Sequence, residues 1–379
     1  MSTRPGATLH RRILLDMLSI PTAPFAEHRV MNYVERFCSA RQGVRLSRDG
    51  VGNILVRVRR GARPVRRPVC ITAHLDHPGF VADRRMSRGR LRAFWRGGVS
   101  PEYFVGSGVR FFVEDRWIKG RIESIKTVLK SGLRRVDTAI MRVGDDVPAG
   151  SVGMWDFPDP TIRGSRIHAR GCDDVAGAAA IVCCIEELVR KGHSCDAYFL
   201  FTRAEEVGFI GAIAAARAGT IPKKCYVVSM ETSSRRPNAH LGDGPILRVG
   251  DRASTFTPAA TAHVHRIARD LARADRTFQY QRKLMDGGTC ESSAFCALGY
   301  EATGLCVALG NYHNVDVKRK KLAREYIDLN DFDNVVKWFV ELARAPYPYT
   351  GRDEALHTQL RQLERTYRDL LRRSRGKPC

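Results

Sequence analysis

The chain has 379 residues, 44% hydrophobic and 27% charged, the balance of a globular protein long enough for two or three domains and a large core. No apolar run approaches the ~20 residues that span a bilayer, and Asp16 interrupts the basic N-terminal stretch, which reads against both a membrane span and a signal peptide. The net charge of +23 is spread along the chain, mostly as Arg, with no nucleic-acid-binding motif beside it, so a solvated basic surface accounts for it better than a nucleic-acid partner.

Residues 8–41 carry apolar positions at helical spacing (Leu9, Ile13, Leu14, Met17, Leu18, then Val30, Tyr33, Val34, Phe37). Pro21 and Pro24 break the pattern, which predicts two helices joined by a turn. Two strands follow, and the second ends on His74. Asp76, two residues on, could accept from the other ring nitrogen, as carboxylates behind zinc-bound histidines do. From about residue 80 to 155, short β-like pieces alternate with Gly and charged turns. They predict a small all-β domain inserted into an α/β chain.

The α/β pattern resumes at Asp173-Asp174, ahead of a strongly apolar helix. An Asp there either caps the helix or bridges two metal ions. The apolar run at 197–202 suits a buried strand and delivers two adjacent acids, Glu205 and Glu206, before an Ala-rich helix-like stretch at 208–219. Side chains at such a strand end face the crevice where open α/β sheets bind ligands. The pair could divide labour, one holding a metal and one moving a proton, or simply serve the helix dipole. A strand reading YVVSM ends on Glu231, and another at 302–309 runs into His313. Capping or packing explains any one of these residues. His74, Asp173, Glu205 with Glu206, Glu231 and His313, all at matching topological positions, fit two divalent ions sharing a carboxylate bridge.

Eleven cysteines, scattered and without a CxxC pair, read against a Cys-based zinc site and suit a reducing cytoplasm. Cys70, Cys183, Cys184 and Cys306 sit in apolar runs as small buried hydrophobes.

The order HxD, DD, EE, a terminal acid and a late His resembles that of the clan MH co-catalytic zinc aminopeptidases. It is most similar to the glutamyl/deblocking group whose members form hollow tetrahedral (TET) particles. LLDMLSIPTAP, DGVGNILV, HLDHPGF, GPILRVGD at 244–251 and MDGGTCESSAF at 285–295 extend the similarity over nearly the whole chain. The resemblance implies an α/β fold: a mixed-sheet, three-layer zinc-peptidase domain from 1–80 and 155–348. It also implies an inserted barrel or PDZ-like dimerisation domain at 80–155. One zinc would be held by His74, Asp173 and Glu231, and the other by Asp173, Glu206 and His313. Glu205 would be the general base and Asp76 the partner of His74, with a cis peptide between Asp173 and Asp174. Cobalt or manganese could replace zinc. The implied enzyme is a cytoplasmic metallo-aminopeptidase acting on peptides, a homo-oligomer between dimer and dodecamer.

The chain departs from the family pattern at Val175, where Arg is usual, at His77, where Glu is usual, and at Glu231, where Asp is frequent. His77 is read as a supporting or plain loop residue rather than a ligand. Two other readings are a related di-zinc amidohydrolase (an N-acyl amino acid deacylase or carboxypeptidase-like enzyme) and a non-catalytic assembly protein. Competent residues at every ligand position disfavour the second. Residues 349–379 form a separate basic segment. Leu356, Leu360, Leu363, Tyr367 and Leu370 make an a/d seam of about two heptads, suited to packing on its own domain or to self-association. The final RRSRGKPC is expected to be disordered.

Overall fold

The computed structural model describes residues 5–61, 65–130, 132–235, 237 and 239–375, with side chains from residue 8. Helices α1 (Pro5–Ser19) and α2 (His28–Ser39) flank the proline turn. Their spacing buries Ile13, Leu14, Met17 and Leu18 from one and Val30, Met31 and Val34 from the other. Strands β1 (Val44–Arg48), β2 (Ile54–Arg60) and β3 (Val69–His74) begin the main sheet.

Six strands then leave that sheet: β4 (Gly79–Met86), β5 (Arg90–Arg96), β6 (Gly108–Val113), β7 (Arg116–Lys130), β8 (Leu133–Val143) and β9 (Val152–Trp155). They close into a barrel in the order β4-β5-β8-β7-β6-β9, with antiparallel pairings that leave no open edge. An aromatic cluster fills it. Phe80 meets Trp95 edge-on at 4.7 Å and Trp155 at 5.3 Å, with Phe104 and Phe111 buried beside them.

The chain re-enters the larger body through β10 (Thr161–Arg163), β11 (Arg166–Ala169) and α3 (Val175–Arg190). Next come β12 (Cys195–Thr202), α4 (Ile210–Ala218), β13 (Tyr226–Ser234), β14 (Ile246–Asp251), α5 (Pro258–Ala274), β15 (Gln281–Met285), α6 (Glu291–Ala297) and β16 (Ala302–Leu309). Short strands β17 (Val315–Asp316), β18 (Lys321–Leu322) and β19 (Glu325–Asp328) lead to α7 (Leu329–Arg344) and a last helix, α8 (Glu354–Arg373).

The main sheet is mixed, in the order β1-β2-β12-β3-β13-β16-β14-β15. Its central neighbours β12, β3, β13 and β16 are parallel, so their C-terminal ends share one edge. Alternation along β12 serves two cores. Ala197, Phe199 and Phe201 face α1, α2, α3, α5 and α7, while Tyr198 and Leu200 face α4 and α6. Helix α3 is apolar nearly all round because it lies between the sheet and helices α1 and α7.

The structure departs from the sequence expectation at Glu231 and in the basic tail, and it decides between the two readings left open for the last helix. Strand β13 runs on to Ser234, so Glu231 lies within a strand rather than at its end. Pairing with β16 as far as Leu309 carries the strand three residues further. Helix α8 has no buried residue and does not pack on its own domain. It also takes in Arg372 and Arg373, placed above in a disordered tail, while residues 376–379 lie outside the described ones. None of the described cysteines is disulfide-bonded, and all but Cys296 are buried. Among the described residues no helix is long and apolar enough to cross a membrane.

Candidate metal centre

The shared C-terminal edge of the parallel strands gathers the acids and imidazoles. His74 ends β3, and Thr202, the last residue of β12, is in register beside it. The turn after Thr202 carries Glu205 and Glu206 in one 3-10 turn. Glu231 projects from β13, paired with Cys306 of β16. His313 follows β16 in a tight turn where Asn311, His313 and Asn314 all adopt positive φ. Asp173 lies two residues ahead of α3, and its peptide bond to Asp174 is cis.

Asp173 stands between the two histidines. Its Oδ1 is 3.6 Å from His74 Nε2, and its Oδ2 is 3.7 Å from His313 Nε2. Glu206 lies 3.1 Å from His313 Nε2, while Glu205 and Glu231 lie 3.8 and 3.9 Å from His74 Nε2. Among the described residues, two sets offer donor atoms that all fall within 4.8 Å of one another: His74, Asp173 and Glu206, and His74, Glu205 and Glu231. The first crosses the allocation implied by the family resemblance, and the second brings in Glu205. Proximity alone therefore does not separate the two adjacent glutamates. Their surroundings differ: Glu205 lines the cleft together with Asp173 and Glu231, while Glu206 lies against His313.

A set of buried groups fixes this arrangement through the main chain. Asp76 plays a different part from the one its spacing suggests. His74 Nδ1 lies 3.0 Å from the Asp76 main-chain oxygen, while the Asp76 carboxylate is 3.7 Å away. That carboxylate instead accepts from the amides of Glu205 and Glu206, at 3.0 Å each. Glu325, wholly buried at the start of β19, accepts from the amides of Cys172 at 2.7 Å, Asp173 at 3.1 Å and His313 at 2.8 Å. One carboxylate thus orients residues at both ends of the cluster. No sequence motif marks it. His77 bridges the Asp173 carbonyl at 2.7 Å and the Asn314 side chain at 3.2 Å, a supporting role. His313 Nδ1 reaches the Gly98 carbonyl, on the loop after β5, at 3.0 Å.

The electrostatics show what the cluster lacks. Burial, with the crowding of neighbouring carboxylates, pushes Glu205 well above the ordinary carboxylate range and Glu231 up to about 8. Burial alone would lower His313, but Glu206 and Asp173 lift it to about 9. Asp173 Oδ1, Glu206 Oε1, Glu231 Oε1 and His313 Nε2 are buried without hydrogen-bond partners. Carboxylate oxygens that converge, buried and unpaired, are costly unless cations compensate them. Oxygen and imidazole donors in this number fit divalent ions of the zinc type.

Beyond the cluster the cleft encloses about 230 Å³ and is lined by Thr232 to Ser234, Arg248, Met285, Gly287 to Thr289 and Tyr312. Arg248 is buried, with 3% exposure. Its Nη1 meets the Ser233 hydroxyl at 3.3 Å, and its Nε has no partner. No described carboxylate forms an ion pair with it, and Asp251 nearby is occupied by the amides of Ala253, Ser254 and Cys290.

The model of the M42 glutamyl aminopeptidase family matches residues 52–329, which leaves out α8 and most of α7. A protein of Acetivibrio thermocellus provisionally named an aminopeptidase is 26% identical over 308 residues, covering 77% of this chain and 86% of its own. The lysyl aminopeptidase of Pyrococcus furiosus is 26% identical over 227 residues, covering 53% of this chain and 62% of its own. Among solved structures, an aminopeptidase of the archaeon Desulfurococcus kamchatkensis superposes with a TM-score of 0.73 at 20% identity, over 90% of this chain and 96% of that one. The TET1 peptidase of Pyrococcus horikoshii, which can assemble into a tetrahedron or a large octahedral shell, superposes with a TM-score of 0.71 at 22% identity, over 88% and 99%.

Proposed function

The chain belongs to the M42 glutamyl aminopeptidase family and is a metal-dependent aminopeptidase, and from that premise we propose how its residues divide the work. Two divalent ions, zinc by the donor set, would be held by His74, Asp173 and Glu231 and by Asp173, Glu206 and His313. When bound, such ions acidify a water and polarise the scissile carbonyl. Glu205 would take the proton of the attacking water and return it to the departing amine. The observation that carries this assignment is the split between the adjacent glutamates: Glu205 lines the cleft, while Glu206 lies 3.1 Å from His313.

The substrate side chain preferred at the first position is acidic. Arg248 supports this reading, because a buried guanidinium with an unpartnered Nε favours a carboxylate in the cleft and repels a Lys or Arg side chain. Free buried cysteines fit a reducing cytoplasm, and assembly into a homo-oligomer is proposed by likeness to the TET1 peptidase.

Glu205→Gln tests the mechanism. It should lower kcat by about 10²–10⁴ while the metal content, read by inductively coupled plasma mass spectrometry, stays at the wild-type level. A fully active Glu205→Gln enzyme would remove Glu205 from its role.

A further inference from the structure

Helix α8 presents an apolar stripe that no described residue of the chain covers. Leu356, Leu360, Leu363, Tyr367 and Leu370 fall on one face at the 4-3-4-3 spacing of a coiled-coil seam, each 46–57% exposed. Twenty residues make a helix about 30 Å long, and helices in proteins owe most of their stability to the packing of an amphipathic face, a packing this one lacks among the described residues. Its root is not loose. Tyr349 stacks on Tyr226 at 4.6 Å and meets His263 edge-on at 5.2 Å, its hydroxyl bonds Glu301, and Arg67 lies over its ring. Asp353 then caps the helix by accepting from the Leu356 amide at 3.0 Å. The body therefore holds α8 outward from a fixed point, with its seam in water.

The charges say what would cover it. Asp353 and Glu354 stand at the start of the helix, Arg372 and Arg373 in its last turn. These charges also suit the helix's own dipole, but the dipole does not call for a leucine stripe. A second copy laid parallel would set the arginine-rich ends side by side. Laid antiparallel, it sets each acidic end against a basic one and builds matched layers. Leu356 meets Tyr367 of the second copy, Leu360 meets its Leu363, and His357 lies beside its Glu364. This self-complementarity under a two-fold axis is what a homodimeric contact requires.

We propose that α8 is a self-association element that pairs antiparallel with α8 of a second copy of this chain. The contact lies outside the family match, and it stands whether or not the catalytic assignments above hold. Because the seam is exposed, charges placed on it leave the body folded.

The test is sedimentation velocity of the full chain against Leu360→Lys/Leu363→Lys, across a hundredfold range of concentration. Unchanged thermal unfolding and aminopeptidase activity per subunit confirm that the body is intact. The variant is expected to sediment as a smaller species than the wild type, or to need at least tenfold more protein to reach the wild-type mass. Orientation is read by disulfide trapping in a Cys379→Ser background. Chains carrying Leu360→Cys mixed with chains carrying Leu363→Cys should give the mixed dimer in excess of either self-dimer. Equal masses for wild type and the seam variant at every concentration, the result expected if the stripe served a different protein, would overturn the proposal. A dominant Leu363→Cys self-dimer would overturn the antiparallel arrangement.

Discussion

His313 is oriented by the carbonyl of Gly98, 215 residues earlier in the chain and carried by the barrel, at 3.0 Å from its Nδ1. The bond assigns the proton to Nδ1 and leaves the Nε2 lone pair free to hold a metal, facing Asp173 and Glu206. A Cβ added at Gly98 would sit 3.3 Å from the Arg135 guanidinium and 3.7 Å from the His313 ring. Alanine fits there with a small shift of Arg135, and leucine does not. Gly98→Leu should therefore lower metal affinity by about 10–100-fold, the usual cost of losing a partner behind a ligand, with little change in unfolding temperature. Isothermal titration with zinc, set beside Gly98→Ala, measures it.

Glu325 carries three main-chain amides on one carboxylate, and burial raises it to about 7. Glu325→Ala strands three buried donors at about 1–3 kcal/mol each, so a loss of several kcal/mol in urea unfolding is expected. Glu325→Gln keeps an acceptor oxygen and should lose less. Stability of Glu325→Ala within about 0.5 kcal/mol of wild type would contradict the role assigned to it.

Arg248→Met removes the cation from the cleft while keeping most of its bulk. The ratio of kcat/KM for glutamyl over leucyl anilide should fall by about 30-fold or more, as expected when one side of a buried charge contact worth 2–5 kcal/mol is lost. An unchanged ratio would show that Arg248 does not read the substrate side chain. Turnover of the leucyl substrate serves as the internal control.

His263 gives a pH dependence separate from the metal cluster. It packs edge-on to Tyr226 at 5.3 Å and Tyr349 at 5.2 Å, and burial, with Arg266 nearby, pushes it down to about 4. Its ordinary value is 6.5. Between these values the unfolded chain binds the proton and the folded chain refuses it, so stability is full above pH 6.5 and falls as the pH drops towards 4. The loss is about 3 kcal/mol. The difference in unfolding free energy between wild type and His263→Phe, followed from pH 7 to 4, should isolate this slope from acid effects common to both proteins.

How much of this was legible in the sequence depended on whether a residue's role was local. His74, Glu205, Glu206 and His313 lie at or just beyond strand ends, and strand ends can be read from hydrophobic runs. Glu231 was found by the same rule although β13 continues past it, because its strand is apolar only as far as Met230. The barrel was visible as a change of texture. Glu325, Gly98 and Arg248 were not visible, because each acts through contacts that only the folded topology creates. Glu325, for example, reaches an amide 153 residues away. Asp76 was half legible: its neighbourhood to His74 followed from spacing, but its carboxylate's grip on the two glutamate amides did not. The leucine seam of α8 was plain from its period, while its separation from the body could be known only from the fold.

Strand β14 runs antiparallel to β16, and it contributes Arg248 to the cleft without contributing to the acid and histidine cluster. The groups proposed to cut the bond come from β3, β12, β13, the start of α3 and the turn after β16. Recognition and chemistry are therefore written on different strands. Asp76 ties Glu205 to Glu206, so drift there would be punished twice over. Position 248 has no such tie, and descendants of this chain could change diet by altering it while leaving the cutting apparatus as it was inherited.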